Sequence, residues 1–229
     1  KIITLEDPVE YKMDGINQSQ IDHSKGYTFA KGLRSILRQD PDIAMVGEIR
    51  DIETADIAVQ SALTGHLILS TVHTNSAAGA IPRFLSMGVK PFLLAPAVNS
   101  IIGQRLVRKL CEHCREEKVL DEKEQDRVNK LIEAMSEKDR AEIQGKEMTF
   151  YTPKGCDECG DIGYKGRIGI YEIFVMNADI EQLILSGNVS EFDIERVAIK
   201  HGMRTMVQDG IRKALEGITS VEEIFRVIE

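Results

Sequence analysis

Three apolar runs in this sequence each end on side chains able to handle protons, metal ions or phosphate. Asp40-Pro41-Asp42 leads into Ile43-Ala44-Met45-Val46, which stops at Gly47-Glu48. Leu67-Ile68-Leu69 leads into Ser70-Thr71-Val72-His73-Thr74-Asn75, and Ile2-Ile3-Thr4-Leu5 ends on Glu6-Asp7-Pro8. An open parallel sheet builds its ligand site at the carboxyl edge, where buried strands deliver such groups. A carboxylate placed there, Glu48, can activate a water for attack on a phosphoryl group or hold magnesium through water. Glu6 and Asp7 supply a second acidic cluster able to face the same metal–phosphate site. In isolation the bland readings are a surface turn for Gly47-Glu48 and a strand-ending turn for Glu6-Asp7-Pro8. His66 and His73 flank the third run, and their seven-residue offset puts them at its opposite ends, so without a bend they do not form one metal site. His73, with Thr74 and Asn75, suits phosphate sensing; the bland reading has His73 packing locally and His66 capping after Gly65.

All four cysteines fall in two pairs, Cys111-x2-Cys114 and Cys156-x2-Cys159. Two such pairs supply four thiolates for a structural zinc at tetrahedral geometry. The competing readings are two disulfides or a redox dithiol. Nothing else in the sequence suggests secretion, so zinc is preferred. His113, inside the first pair, is a spare ligand that four cysteines make unnecessary.

The elements that position these groups alternate. Thr28 opens a helix with Phe29, Leu33, Ile36 and Leu37 on one face, ending before Pro41, which disfavours helix at Asp40. Ile52, Ala55, Val59 and Ala62 recur at helical spacing over residues 51–64, and Gly65 sits where a C-terminal cap belongs. Strand, helix, strand, helix from residue 1 to 86 implies a parallel sheet with helical crossovers. Residues 12–27 read as an irregular loop or hairpin. Residues 89–110 read as helix, on the apolar pairs Ile101-Ile102 and Leu106-Val107. Residues 115–147 are dense in charge, which predicts a solvated helical face; Val128, Leu131, Ile132 and Met135 make one apolar stripe, and Ser136 with Asp139 caps a second short helix. Ile168 to Phe174 has a strand's composition. Ser190 and Asp193 mark a helix start, Gly202 and Gly217 mark stops, and Ser220-Val221-Glu222-Glu223 fits a capping box before the final helix.

With 229 residues, 42% hydrophobic and 29% charged, the chain has room for a sizeable core. A formal net charge of -8 argues against a general nucleic-acid binder. No apolar run approaches the ~20 residues of a membrane helix. There is no Gly-x4-Gly-Lys-Ser/Thr, no Gly-x-Ser-x-Gly and no His-Glu-x2-His. The chain opens inside a strand without an initiator Met, so it is expected to be a fragment whose first strand lacks a neighbour on one side, an exposed edge that favours self-association.

Taken together these residues resemble the C-terminal part of the type II secretion and type IV pilus assembly ATPases. Ile3 to Tyr11 (ITLEDPVEY) resembles that family's aspartate box. Leu33 to Asp42, continuing through Gly47-Glu48-Ile49-Arg50-Asp51, resembles its atypical Walker B segment. Thr64-Gly65-His66 through Asn75 resembles its histidine box. The tetracysteine module, Gly166 to Glu172 and Gly217 to Glu223 fit as well, and the cysteines favour the secretion and pilus-extension members over the retraction motors.

The resemblance implies an α/β, RecA-like, mostly parallel and partial sheet with a zinc-binding insertion and a helical C-terminal region. It implies domains at 1–110 (ATPase core without the P-loop), 111–160 (tetracysteine zinc module) and 161–229 (strand plus helical subdomain). It implies Glu48 as the catalytic carboxylate, Glu6 and Asp7 on the metal–water side, and His66, His73 and Arg50 on the nucleotide. Arg34, Arg38 and Arg105 are further candidates for phosphate or inter-subunit contacts. Cys111, Cys114, Cys156 and Cys159 hold the zinc. The intact protein would use ATP and Mg, form a homo-hexamer, and drive a polytopic inner-membrane platform protein from the cytoplasmic side. The family's Walker A loop is missing here, so the chain alone is expected to be inactive. The alternative is a zinc-stabilised interaction module without catalysis.

Overall fold

The computed structural model describes residues 1–143 and 148–228. In chain order the elements are β1 (Ile2–Glu6), β2 (Asn17–Gln20), α1 (Phe29–Leu37), β3 (Ile43–Val46), α2 (Ile52–Leu63), β4 (Leu67–Ser70), α3 (Ala80–Met87) and α4 (Pro91–Ala97). Next come β5 (Ser100–Leu110), β6 (Glu116–Lys118), α5 (Glu122–Glu133), α6 (Glu137–Ile143), β7 (Phe150–Thr152) and β8 (Tyr164–Val175). Four helices close the chain: α7 (Ala178–Leu185), α8 (Glu191–Lys200), α9 (Met206–Leu215) and α10 (Val221–Ile228). They gather into two compact units, residues 1–101 with 175–197, and residues 102–174 with 198–229. Among the described residues no helix is long and apolar enough to cross a membrane.

The first unit is built on a four-stranded, all-parallel sheet in the order β2-β1-β3-β4. Leu5, Ala44 and Val46 are fully buried in it. The helix α1 packs on β1 and β3, bringing Leu33 and Ile36 into the core. Both crossover helices begin where side-chain oxygens satisfy their first amides: Thr28 accepts from the Lys31 N–H, and Asp51 from the Thr54 N–H at 2.8 Å. The α2 helix ends at Thr64, and the next residue, Gly65, is left-handed (φ +103°), as the sequence predicts.

Two expectations fail here. Residues 12–27 contain β2, a strand whose sequence, Asn17-Gln18-Ser19-Gln20, carries no apolar signal because it joins the sheet as an outer strand through its backbone. The first strand therefore has neighbours on both sides. On the other flank the outer strand is β4, where Leu67 and Leu69 remain 46% and 48% exposed.

The second unit pairs β5 with β8 and, separately, β6 antiparallel to β7 with Glu117 opposite Tyr151. The expected helix over 89–110 is only α4; from Ser100 the chain is the long strand β5. The reason is geometric. An adjacent apolar pair such as Leu106-Val107 looks helical, but in a strand it splits across two faces, leaving Val107 buried and Leu106 exposed. The charged excursion matches its apolar stripe: Val128 and Met135 are buried with Phe150, Ile211 and Ile224, and Leu131 and Ile132 pack against them. Ser136 accepts the Asp139 N–H at 3.1 Å and so caps α6. At α10 half of the expected capping box forms. Ser220 accepts from the Glu223 N–H at 3.2 Å, whereas the Glu223 carboxylate turns inward to arginines.

Candidate active site and metal centre

The register of the parallel sheet decides which residues meet at its carboxyl edge. Leu5 pairs with Val46 and Val46 with Ser70, so Glu6, Gly47 and Thr71 leave the sheet side by side. The Gly47 N–H donates to Leu5 O at 2.7 Å, and the Ile49 N–H donates to Thr71 O at 3.0 Å, extending the alignment past the last regular pairs. Gly47 has to be small: a Cβ there would sit 3.0 Å from Leu5 O and 3.5 Å from the Glu6 Cα. That close approach puts the next residue, Glu48, directly over the rim.

The Glu48 side chain is 12% exposed, and its Oε2 is the focus of the cluster. Arg50 Nε donates to it, and His73 Nε2 lies 3.4 Å away. The His73 side chain is 83% exposed and reaches the carboxylate from solvent. Glu6 leaves the neighbouring strand: its Oε1 accepts from the Thr4 hydroxyl and, at 3.0 Å, from Gln18 Nε2. Asp7 Oδ2 lies 3.2 Å from His23 Nε2. The rim thus combines carboxylates from two adjacent strands with an arginine and an imidazole. Such a group can polarise a water, hold a hydrated divalent cation or receive a phosphate.

His66 lies elsewhere. Its Nδ1 is 3.3 Å from Ser61 O at the end of α2, at the amino end of β4 and away from the rim. Arg34 pairs with Glu53 at 2.8 Å, linking α1 to α2 on the surface. Arg38 is exposed, and Arg105 donates to Gln104 O at 3.1 Å in the second unit. Gln18 and His23 hold the two acids at the exit of the first strand, Glu6 and Asp7, yet neither carries a motif or a spacing that would single it out. Only the pairing of β2 to β1 brings Gln18 to Glu6. His23 follows Asp22, whose carboxylate accepts the Ser24 N–H in a short local turn.

In the second unit the four cysteines converge. Their sulfurs all lie within 4.8 Å of one another, with Cys111–Cys156 at 3.9 Å and both Cys114–Cys159 and Cys156–Cys159 at 3.8 Å. All four are free thiols, so the disulfide reading fails. A tetrahedron with metal–sulfur bonds of ~2.3 Å has edges of ~3.8 Å, so this donor set fits a tetrahedral ion. Backbone supports it: the Gly163 N–H donates to Cys159 Sγ at 3.1 Å and the Cys156 N–H at 3.3 Å. Burial works to raise the Cys159 pKa, but those two N–H groups and the neighbouring thiols bring it down to about 7. Burial and the thiols of Cys114 and Cys159 push Cys156 up to about 12.

Known proteins resemble this chain along nearly its whole length. The family model described as "Type II/IV secretion system protein" matches residues 1–226. The type IV pilus assembly ATPase PilB of Thermus thermophilus is 49% identical over 227 residues, covering 99% of this chain and 24% of that protein. The type II secretion system protein E of Aeromonas hydrophila is 45% identical, covering 99% of this chain and 42% of that protein. The chain therefore spans less than half the length of these relatives. Among solved structures, the pilus retraction motor PilT with bound ADP superposes with a TM-score of 0.64 at 27% identity, over 98% of this chain and 51% of that one. Matched along nearly its whole length, this chain belongs to the type II/IV secretion system protein family.

Proposed function

We propose that this chain is the C-terminal part of a hexameric ATPase that couples ATP hydrolysis to type IV pilus assembly or type II protein secretion. The observation that carries the reading is the convergence of Glu6, Glu48 and His73 on one carboxyl edge, with His73 3.4 Å from Glu48. In this reading Glu48 takes the proton of the attacking water, and Glu6 and Asp7 orient the water shell of a magnesium ion. Arg50 and His73 answer to the γ-phosphate. The same part for His66 rests on the family resemblance alone. The cysteines hold a structural zinc, and the motor acts at the cytoplasmic face of an inner-membrane platform protein. The domain division at 110 and 160 belongs to this reading too.

The sequence has no Gly-x4-Gly-Lys-Ser/Thr, and a loop of that kind supplies backbone amides and a lysine to the phosphates. The chain alone should therefore not turn over ATP at a measurable rate. Restored to the full-length polypeptide that carries it, it should, and Glu48→Gln should lower kcat by about 10²–10⁴-fold, the usual worth of a general base. Steady-state phosphate release checks both. Turnover by the chain alone that Glu48→Gln abolishes would refute the need for a missing phosphate loop. Turnover by the full-length polypeptide that ignores Glu48→Gln would refute the catalytic assignment.

A further inference from the structure

His73 is carried by the loop of residues 71–79, and two side-chain hydrogen-bond clamps in that loop bear on it. The first is local to the sheet: Thr71 Oγ1 donates to Gly47 O at 2.7 Å, next to the residue that His73 must face. The second comes from far along the chain. Ser76 Oγ donates to Glu191 Oε1 and at the same time accepts the Gly79 N–H at 3.0 Å. Thr74 Oγ1 donates to Ser76 O at 2.8 Å, so the segment between the clamps is tied into the second of them.

Glu191 is the first residue of α8, whose amide at Asp193 is already capped by Ser190 at 3.2 Å. Its carboxylate is therefore not needed to start its own helix. It lies instead against the start of α3, where a Cβ on Gly79 would sit 3.2 Å from its Oε2. A carboxylate accepting from a hydroxyl that itself accepts an amide makes a directed two-step chain, and the charged acceptor strengthens both bonds.

We propose that Glu191, acting through Ser76, is a positioning residue that holds loop 71–79 so that the imidazole of His73 faces Glu48. The inference rests on the motor reading above. Glu191 touches neither nucleotide nor metal in it; through Ser76 it fixes the loop three residues beyond the histidine that faces Glu48. Without the tether the strand-side clamp at Thr71 survives and the sheet is intact, but His73 samples positions away from Glu48.

The test uses two readouts. In this chain, hydrogen exchange at the Gly79 amide should speed up about tenfold in Ser76→Ala and in Glu191→Ala, with the thermal midpoint held. Glu191→Gln keeps a carbonyl oxygen for the Ser76 hydroxyl and should stay close to wild type. In the full-length polypeptide, Ser76→Ala and Glu191→Ala should each lower kcat by about 10–100-fold with KM for ATP unchanged. The double variant should be no worse than either single one, because both break the same chain. Unchanged Gly79 exchange in Glu191→Ala, or kcat, KM and thermal midpoint falling together, would overturn the proposal. Failure of the motor reading looks different: Glu48→Gln would leave turnover intact while the exchange data still report the tether.

Discussion

Glu48 and Glu223 are the same side chain set against basic groups, and their surroundings differ. Glu48 stands at an open sheet edge, and Arg50 and His73 reach it from solvent: Arg50 is 70% and His73 83% exposed. Glu223 is 1% exposed, and both its oxygens are consumed. Arg108 reaches it with Nη2 at 2.6 Å and its backbone N–H at 3.0 Å, and Arg226 with Nε at 2.8 Å and Nη2 at 2.7 Å. A buried carboxylate whose two oxygens each accept two hydrogen bonds has no free lone pair for a ligand. A carboxylate gripped on one oxygen from the solvent side keeps room for water and metal. Burial and completeness of partners, more than the presence of an acid beside an arginine, separate a carboxylate closed to ligands from one that is open to them.

If the second unit is the scaffold and the rim of the first unit the working edge, the largest loss of stability should come from the cysteine cluster. Structural zinc in small thiolate sites is worth about 10–16 kcal/mol of apparent binding energy. Cys111→Ser, or stripping with a chelator, should release one zinc per chain and destabilise the second unit by more than about 3 kcal/mol. Elemental analysis with a thermal melt checks this. A metal-free protein melting at an unchanged midpoint would end the structural role of the site.

Glu223→Ala comes next, at about 2–4 kcal/mol, because it removes the one buried acceptor of the charged hydrogen bonds from Arg108 and Arg226, whose own side chains are 41% and 58% exposed. Its pH signature has a definite sign. Burial alone would raise the Glu223 pKa, but the bonds from Arg226, Arg108 and the Arg108 N–H outweigh it and hold the group at about 2, against an ordinary 4.5. A depressed folded pKa means the stabilisation is present above the unfolded value and is lost as pH falls from 4.5 toward about 2. Urea titrations of Glu223→Gln should therefore show a flatter acid limb than wild type in that window. A smaller loss, about 1–3 kcal/mol, is expected for Gly210→Ala, whose new methyl would sit 2.9 Å from the Ile224 Cγ2 across the α9–α10 contact.

The scaffold and the rim are not equally legible in the sequence. Helices α1, α2 and α8 can be bounded because each begins at a residue whose side chain caps it, Thr28, Asp51 and Ser190. The rim acids can be found because parallel strands buried on both faces read as apolar runs, and the residues just past each run lie on the edge. The cysteine cluster is visible in spacing alone. Strand β2 is not, because an outer polar strand pairs through backbone groups that every residue has. Strand β5 mimics a helix because its apolar pairs hide a period of two. Glu223 reads as a capping acid, and its arginine at position 108 lies 115 residues away. Glu191 and Ser76 are also 115 residues apart. Local chemistry is written locally, whereas a single hydrogen bond across the fold leaves no pattern in the sequence.

The smallest expected stability effect falls on the residue with the largest expected effect on activity. Glu48→Gln keeps the volume of the side chain and an oxygen that can accept from Arg50 Nε. The substitution removes only the charge attraction of two partners that are mostly in water, where such pairs contribute about 0.2–1 kcal/mol. Urea unfolding of Glu48→Gln should therefore move by at most about 1 kcal/mol, with an unchanged slope. A loss comparable to that of Glu223→Ala would mean that Glu48 is held for the fold, and the contrast between the two glutamates would disappear. A loss within the stated range, paired with collapse of turnover in the full-length polypeptide, would place the function of the rim in chemistry and leave stability to the second unit.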